Sequence, residues 1–526
     1  MTTVVSRSRP HPRTGDLSAA LRAEWTKFRT VRGWVVGMAL MAGLLVLFAY
    51  LTANGMHSGT CTTGPDGAPV CGMGHPYVPI GPGGEAVADS YYLVSRQLAA
   101  DSTLTVRVAR LSGVTSSGPA NAAPSVGRTR PGIPAWSKAG IIVTASTRQG
   151  AAYAAVMATS GHGVRFQYDY TNDRAGTQGQ VSAGSPRWLR LTRSGQVLTA
   201  SDSSDGQHWQ RLGATTLRAL GAGARIGLFV ASPVTSSGLA SQATGVFDHV
   251  TLSGEPGTGS WRGQAIGEGQ TSFYSTLGQG SYHRAGGSFT VHGSGDISPA
   301  ITAGGDTAAS FLLQPMVVAL LLMVIVATLF ITTEYRRGLI RTTLAAMPSR
   351  TETLIAKALV IGAVAFIAGA AAAAIAIPLG QHLLTTNGNY VLPSGAATQA
   401  RMIVGTGALL ALAAIAVLAI GAIVRTAAGA VMTSVVLVVM PVLLEVPVIQ
   451  GGSANAPAYV EWLARISPAA GVALLGAMPR STAVSYPYTL GNGYFPLSPV
   501  AGIAVLAAWA LVLLLIAVAL LNRRDA

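Results

Sequence analysis

Long apolar runs alternate with polar stretches along the chain. A helix needs roughly 20 apolar residues to cross a ~30 Å hydrocarbon core. Six runs meet this length: Trp34–Ala53, Phe311–Thr332, Leu354–Leu379, Met402–Ile423, Ala427–Val448 and Pro499–Leu521. Because lipid offers the backbone no hydrogen-bond partners, each run is predicted to be a transmembrane helix. The Ala-rich third run also suits a buried helix of a soluble protein, but its neighbours favour the membrane.

These spans divide the chain into predicted segments. The segments are a tail with an amphipathic helix (1–33), a first span (34–53), an insertion (54–308), a second span (311–332), a polar connection (333–353), a third span (354–379), a fourth (402–423), a fifth (427–448), an outer loop (449–498), a sixth span (499–521) and a short tail (522–526). The first span is expected to be retained, because it begins beyond residue 30 and lacks a small-residue cleavage site.

The composition agrees with a membrane protein. Of the 526 residues, 50% are hydrophobic and only 10% are charged, and the mean hydropathy is +0.44. Such values are unusual for a soluble enzyme of this size. The net charge of +15 does not indicate nucleic-acid binding, because no soluble basic domain with interleaved aromatic residues is visible.

The positions of the basic residues predict the orientation. They cluster in the N-terminal tail, after the second span, between the fourth and fifth spans, and at the C-terminus. The residues are Arg7, Arg9, Arg13, Arg22, Lys27, Arg29 and Arg32; Arg336, Arg337, Arg341 and Arg350; Arg425; and Arg523 and Arg524. All fall on one side of six spans, with Arg401 as the main exception. The positive-inside rule therefore predicts a multi-pass plasma-membrane protein with both termini cytoplasmic and the insertion extracellular.

The insertion at 54–308 changes abruptly to Gly, Ser, Thr and short alternating segments. Leu104–Arg110, Val164–Tyr170 and Arg225–Val230 alternate apolar and polar residues, as strands with one buried face do. The predicted fold class is therefore a six-helix membrane part with an inserted all-β sandwich. We expect the sandwich at about 87–253 and a return linker at 254–308, in which Ser288–Val291 pairs with another strand.

Four strand motifs in the insertion carry landmark aromatic residues: Trp136–Val143, Gly163–Tyr170, Pro186–Arg193 and Gly245–Val250. In these motifs the insertion resembles concanavalin A-like, laminin-G-type jelly-roll domains. Such domains bind glycans, bind proteins or space other domains apart. The candidate glycan-binding face consists of Tyr168, Tyr170, Trp188 and Trp209. The alternative is that these aromatic residues belong to the core or to strand pairs.

Two further features of the insertion concern bonds and ions. Cys61 and Cys71 are the only cysteines, and in an oxidising compartment they are predicted to form one local disulfide. Asp169, Asp202 and Asp205 are a weak calcium candidate, since isolated acids near turns more commonly form the turns themselves. No metal site is predicted.

A short basic segment lies between the second and third spans. The segment contains an acidic residue, a glycine, a leucine, a proline and a basic residue at positions Glu334, Gly338, Leu344, Pro348 and Arg350. In these residues and their spacing it resembles the first cytoplasmic loop of ABC-2 type transporter permeases. Leu339 stands where that family usually has Thr. The resemblance implies a coupling helix that contacts a nucleotide-binding partner, with Arg336, Arg337 and Arg341 supplying complementary charge. The alternative is a cytoplasmic loop whose arginines only set the topology.

The stretch Leu17–Arg32 has the periodicity of an amphipathic helix lying at the membrane interface. Its residues Glu24, Trp25, Lys27, Phe28 and Arg29 resemble the elbow helix that precedes the first span of actinobacterial ABC-2 permeases. Glu24 interrupts the apolar face, so we expect it to meet Lys27 or another basic partner. A plain membrane-surface anchor is the alternative to a role in contacting an ATPase.

Glu445, near the outer end of the fifth predicted span, is the candidate for a translocation path, because charged groups within lipid are costly and usually functional. Contact with outer water, or a pair with Arg401 or Arg465, is equally compatible with its position. Residues 458–478 resemble the re-entrant outer hairpin that precedes the last span in the same family.

The sequence contains no phosphate-binding loop, zinc-protease helix or nucleophile elbow, so no catalytic residue is predicted. The resemblance implies the membrane subunit of an ATP-driven exporter without cofactors of its own. It implies a homodimer, or a heterodimer with another permease, together with a separate cytoplasmic ATPase that binds ATP and Mg²⁺. The rival interpretations are a membrane-anchored glycan or peptide receptor, which one span would serve, and a membrane enzyme with Asp169 and Asp248 as paired acids. The cargo is not predicted.

Overall fold

The fold comes from a computed structural model of the chain. The structure describes residues 17–57, 60–63, 69–72, 79–98, 101–116, 129–217, 220–221, 223–235, 239–254, 260–267, 277, 280–299, 306–307, 309–336, 349–444, 458–477 and 497–523. Within them the chain forms a helical bundle and a β-sandwich inserted between its second and third helices.

The helices follow the apolar runs of the sequence. They are α1 (Leu17–Thr30), α2 (Arg32–Gly55), α3 (Met316–Arg336), α4 (Arg350–Thr386), α5 (Ala396–Val424), α6 (Ala427–Leu443), α7 (Ala458–Ile466) and α8 (Pro499–Arg523), with short 3₁₀ helices at Ala309–Leu313 and Pro468–Leu475.

Five helices, namely α2, α3 with its 3₁₀ turn, α4, α5 and α8, are long and apolar enough to cross a membrane. The remaining run, the predicted fifth span at 427–448, is shorter in the described residues, since α6 has only 17 residues and Glu445 lies outside the described part. A π-helical turn at Val435–Val439 interrupts α6 just before Pro441. Proline lacks the N–H that would continue the α-helical pattern, which explains the irregularity.

Close packing of small residues holds the centre of the bundle together. Helices α4 and α5 cross where a Cβ on Gly369 would lie 2.6 Å from Leu410 and a Cβ on Gly407 would lie 2.7 Å from the carbonyl oxygen of Phe366. A side chain at Gly407 would therefore force the helices apart, and one at Gly369 would displace the Leu410 side chain. Much of α3, α4 and α5 is buried, whereas α2 and α8 are largely exposed, as expected for peripheral helices that face lipid.

The strands fill the insertion. They are β1 (Thr60–Thr63), β2 (Pro69–Gly72), β3 (Val87–Asp89), β4 (Tyr91–Gln97), β5 (Ser102–Ser116), β6 (Thr129–Pro131), β7 (Lys138–Thr144), β8 (Tyr153–Thr159), β9 (Val164–Tyr168), β10 (Asn172–Ala175), β11 (Arg187–Ser194), β12 (Val197–Ser203), β13 (Gln210–Thr216), β14 (Arg225–Ala231), β15 (Ser241–Gly254), β16 (Arg262–Ile266), β17 (Gly280–Ala285), β18 (Ser288–Gly293), β19 (Ile297–Pro299), β20 (Asp306–Thr307) and β21 (Tyr390–Val391).

Two antiparallel sheets form the sandwich. One has seven strands in the order β10-β9-β8-β7-β14-β4-β16, and the other has eight, in the order β13-β12-β11-β5-β15-β18-β17 with β6 beside β5. Their facing side chains, such as Ile141 and Phe166 on the first sheet and Leu189 and Phe247 on the second, form one core. The predicted β-sandwich is therefore present, and Gly206, in the loop between β12 and β13, has a positive φ of 76°.

The sandwich extends beyond its predicted end at residue 253. Strand β16 pairs with β4, and β18 pairs with both β15 and β17. The predicted linker at 254–308 is thus wrong for these strands, although the expected pairing of Ser288–Val291 is confirmed. The region is rich in Gly and Ser, and this composition favoured a linker over strands. Phe289 and Val291 are nevertheless fully buried in the common core.

Short contacts hold the segment after α4 against its neighbours. Strand β20 pairs in parallel with β21, which follows α4. The side chain of Asn387 donates to the carbonyl oxygen of Ala53, and that of Asn389 donates to the carbonyl oxygen of Met56. These bonds satisfy carbonyl groups at the end of α2 that have no partner within the helix.

The hairpin that follows α2 places Cys61 directly opposite Cys71, since β1 and β2 pair antiparallel in that register. Directly opposed residues in an antiparallel pair are close enough for a disulfide. The backbone arrangement is therefore the one that the predicted disulfide requires.

Candidate functional site

Four charged residues from three helices meet at one end of the bundle. Glu24 and Lys27 come from α1, Glu334 from the end of α3 and Lys357 from the start of α4. Lys357 Nζ lies 2.6 Å from both Glu24 Oε2 and Glu334 Oε1, and Lys27 Nζ lies 2.8 Å from Glu24 Oε1 and 3.2 Å from Glu334 Oε1. Each carboxylate thus binds both lysines, and we call this closed arrangement the ion quartet.

The ion quartet is largely removed from solvent. Glu24, Glu334 and Lys357 are buried, whereas Lys27 is half-exposed at its edge. Aromatic residues pack beside it. Lys357 Nζ lies 5.0 Å from the centre of the Phe330 ring, and this ring packs edge-on against Phe28. Two positive and two negative charges compensate each other, which offsets part of the cost of taking them out of water.

Lys27 shows the electrostatic effect of the arrangement. Burial alone lowers the pKa of a lysine, but the hydrogen bond and charge of Glu24 and the charge of Glu334 outweigh it. The pKa of Lys27 is therefore raised above its ordinary value, and the side chain stays protonated. One atom remains unsatisfied, since Glu334 Oε2 is buried and has no hydrogen-bond partner among the described residues.

The amphipathic helix forms as expected, and one of its faces packs against the bundle. The buried positions of α1 are Ala20, Glu24 and Phe28, while Trp25 is 48% exposed and Arg29 is exposed. Phe28 is therefore buried within the bundle, whereas Trp25 is exposed on the surface of the helix. The expectation that Glu24 meets Lys27 or another basic residue is confirmed, with Lys357 as the second partner.

The predicted coupling residues are only partly described. Arg337, Gly338, Arg341 and Pro348 lie outside the described residues, and Arg336 is described only as the last residue of α3. Arg350 begins α4, and its Nη1 donates to the carbonyl oxygen of Leu521 at 2.9 Å. Glu334 faces inward to the lysines, so its carboxylate is occupied within the chain.

Lys357 is the residue that sequence reasoning missed. It lies within the predicted third span at 354–379. Its position inside an apolar run was a usable signal, because a buried ammonium requires an acidic partner. Nothing in the linear sequence shows that one partner is Glu24, which is 333 residues away.

The four aromatic residues of the candidate glycan-binding face do not form one surface. Tyr170 is buried in the turn after β9, and Tyr168 packs towards the sandwich core, both on the seven-stranded sheet. Trp188 and Trp209 lie with the eight-stranded sheet. Tyr170 donates from its hydroxyl to Asp89 Oδ2 at 2.7 Å, so the core alternative is correct for this residue.

Trp188 and Trp209 support neighbouring side chains. Arg190 stacks on the Trp209 ring at 3.7 Å, and Arg107 lies 5.9 Å from the Trp188 ring. Arg107 also forms a two-pronged ion pair with Asp248, through Nε at 2.7 Å and Nη2 at 2.6 Å. The tryptophans therefore hold arginines in place, and Asp248 is neutralised by its partner.

The opposite, seven-stranded sheet has a buried polar cluster on its outer side. Burial raises the pKa of Asp89 to about 6, although hydrogen bonds from Tyr170 and the Gly150 backbone oppose the shift. Lys138 is fully buried and binds Asp296 Oδ1 at 2.8 Å. Asp89 belongs to β3 and Asp296 precedes β19, so both groups attach the β3–β19 pair to the sheet.

The described residues contain no group of three His, Cys, Asp or Glu side chains that could hold a metal ion. The calcium candidates are separated and engaged. Asp169 Oδ1 accepts from the Tyr153 backbone, Asp202 Oδ2 accepts from the Thr177 backbone, and Asp205 binds His208. Asp169 and Asp248 lie on different sheets, which does not favour the paired-acid enzyme.

Comparison with known proteins adds little. No family model matches the chain, and no curated protein sequence does. Among solved structures, a scytalido-glutamic peptidase with a transition-state analogue inhibitor aligns with 39% of this chain and 98% of its own, at 7% identity and a TM-score of 0.25. A functionally unknown protein from Saccharomyces cerevisiae aligns with 38% of this chain and 97% of its own, at 16% identity and a TM-score of 0.20. These TM-scores are too low to support any conclusion about function.

Proposed function

We propose that this chain is the membrane subunit of an ATP-driven exporter of the ABC-2 type, working with a separate cytoplasmic ATPase. In this arrangement α1 and the connection between α3 and α4 face the cytoplasm, the sandwich is extracellular, and two membrane subunits form a dimer. The alternative is a membrane-anchored surface protein that binds a glycan or peptide.

The observation that carries the proposal is the ion quartet. Glu334 and Lys357 lie on the helices that flank the basic connection, and Glu24 and Lys27 lie on α1. The candidate elbow helix and both ends of the candidate coupling segment are therefore fixed to one another. A force applied to either element by a partner reaches α3 and α4 together.

The packing of these helices supports a mechanical role. Helix α4 continues from the ion quartet through the centre of the bundle, where it crosses α5 at Gly369 and Gly407. The hydrogen bond from the Arg350 side chain to the carbonyl oxygen of Leu521 connects the start of α4 to the end of α8. Movement of the α4 terminus would thus be transmitted to several candidate spans, which is what a change of access from one side to the other requires.

The first experiment purifies the full chain from its native host in a mild detergent and identifies co-purifying proteins by mass spectrometry. The proposal requires a protein with a phosphate-binding loop and ATP hydrolysis by the complex. If repeated purifications yield the intact chain without such a protein or such activity, the proposal fails.

A matched pair of variants tests the role of the ion quartet. K27Q removes a charge that bridges both carboxylates, whereas R22Q removes a charge from an exposed position of the same helix. K27Q is expected to reduce ATP hydrolysis by the complex, and R22Q is expected to leave it unchanged. Equal activity of both variants and the wild type would remove the quartet from the coupling mechanism.

A further inference from the structure

The two outer faces of the sandwich differ in exposure. On the seven-stranded sheet, Leu93, Ile142 and Phe229 are buried beneath Val87 and Ile297, which belong to β3 and β19. The eight-stranded sheet has no such cover among the described residues. Its inward side chains form the core, and the alternate ones point away from it.

This second surface, here called the open face, carries an unusual set of side chains. Arg110 and Arg211 are exposed, and Arg107 and Arg190 are half-exposed. The strand registers place them on one side of the sheet, because Arg107 pairs with Trp188, Arg190 pairs with Thr105 and Ser201, and Ser201 pairs with Arg211. A bulge in the pairing of β5 with β15 at Val246 and Phe247 lets Arg110 point outward while Leu111 enters the core.

The charges on the open face are not balanced within the chain. Asp248 on β15 pairs with Arg107 on β5 and is the one carboxylate that the strand registers place beside these arginines. Arg107 already binds both of its oxygens. Arg190 donates to the Thr105 hydroxyl and stacks on Trp209. The side chains of Arg110 and Arg211 make no hydrogen bond or ion pair with any described residue. Residues 87–300 as a whole contain 17 Arg and Lys against 10 Asp and Glu.

The remaining positions on the open face are mostly small and polar. Thr103 and Thr192 bond to each other through their hydroxyls at 3.1 Å, and Thr105 and Ser201 flank Arg190. Hydroxyl groups suit the hydroxyls of sugars, and planar guanidinium groups suit carboxylates. The tryptophans do not provide free stacking platforms, because Arg190 covers a face of Trp209 and Gly206 lies against Trp188. Charge and hydroxyl contacts therefore favour an acidic glycan over a neutral one.

The spacing of the arginines fits an extended ligand. Neighbouring strands in a sheet are ~4.8 Å apart, and β13 and β11 are separated by one strand, so Arg211 and Arg190 are about 10 Å apart across the sheet. Arg107 and Arg110 continue the positive surface on β5. We propose that the open face of the eight-stranded sheet binds a polysaccharide that bears carboxylate groups. This inference does not depend on the transport function.

The test uses the full chain in nanodiscs of zwitterionic lipid, with polygalacturonate as the probe and dextran as the neutral polymer. The wild type is expected to bind polygalacturonate with an affinity that falls as salt is added, and not to bind dextran. R110Q/R211Q should weaken binding about tenfold, because two exposed ion pairs each contribute a factor of several.

The matched control is R148Q/R262Q, which removes the same charge from exposed residues on the side of the seven-stranded sheet. This variant should bind like the wild type. The proposal is overturned if the wild type binds polygalacturonate no better than dextran, or if both double variants lose affinity equally. It is also overturned if Arg110 and Arg211 mediate binding to anionic lipid vesicles but not to polygalacturonate.

Discussion

Lys357 Nζ lies 2.6 Å from Glu24 Oε2, although 333 residues and the whole sandwich separate them in the chain. This contact attaches the N-terminal amphipathic helix to the start of α4. Because Glu334 shares the same ammonium at 2.6 Å, three helices depend on one side chain. The contact makes the membrane part of this chain a mechanically connected unit at the end where α1 lies.

Replacing Lys357 is expected to destabilise the bundle. K357M leaves two buried carboxylates with only Lys27 between them, and breaking a buried ion pair typically costs about 3–5 kcal/mol. We expect a lower melting temperature for K357M in detergent, measured by intrinsic fluorescence, and no change for R22M on the exposed side of α1.

A double variant separates charge from packing at the same site. E24Q/K357M leaves Glu334 and Lys27 as a neutral pair, so it should melt at a higher temperature than K357M alone. A double variant that melts at or below the temperature of K357M would show that shape, and not charge, is what Lys357 contributes.

The strands beyond residue 254 are expected to be essential to the sandwich. Phe289 is buried against the core and packs edge-on against Trp261 at 5.4 Å. F289A should cost about 3–5 kcal/mol, as large-to-small substitutions of buried aromatic residues do. The measurement is resistance of the sandwich to proteolysis, with H283A at an exposed position of β17 as the control. If F289A and H283A are equally resistant, the region behaves as the linker that its composition suggests.

The raised pKa of Asp89 predicts how the stability of the folded protein depends on pH. Burial raises its pKa to about 6 in the folded protein, above the value of about 3.9 for an unfolded chain. An acid with a raised folded pKa contributes stability below its unfolded pKa and loses it as the pH rises through the folded pKa. Asp89 should therefore favour the folded state by about 2 kcal/mol more at pH 4 than at pH 7.

The variant D89N removes this titration, and its amide oxygen can still accept the hydrogen bonds from Tyr170 and Gly150. We expect thermal unfolding at pH 4.5 and 7.5 to show that the melting temperature of D89N rises relative to that of the wild type at the higher pH. A wild type and a variant that shift equally with pH would contradict the raised pKa of Asp89.

The two cysteines should be oxidised in the mature protein. Because Cys61 lies opposite Cys71 in the hairpin, alkylation under denaturing, non-reducing conditions should modify neither thiol, and alkylation after reduction should modify both. A local disulfide of this kind stabilises by roughly 2–3 kcal/mol. Modification of the unreduced chain would exclude the bond.

Local patterns predicted much of the fold. Five of the six apolar runs form helices long enough to span a bilayer, and the amphipathic helix and the sandwich appear where periodicity placed them. Each of these signals is contained within a few neighbouring residues, so a single sequence is sufficient to reveal it.

Features that depend on distant residues were not predictable in the same way. The partners of Lys357 come from separate helices, and the four aromatic residues proposed as one glycan-binding surface are divided between two sheets. Strands β16 and β17 were missed because their flanks are rich in Gly and Ser, and the partners of β16 and β18, which are β4 and β15, could not be named because they lie earlier in the chain.

The most direct test of the proposed function places a photoreactive amino acid at Arg341, within the connection between α3 and α4, and irradiates intact cells. The account predicts covalent capture of an ATPase with a phosphate-binding loop, and no such capture from the same amino acid at His283 on the sandwich. Absence of the ATPase from the Arg341 product, or its equal capture from both positions, would contradict the proposed function.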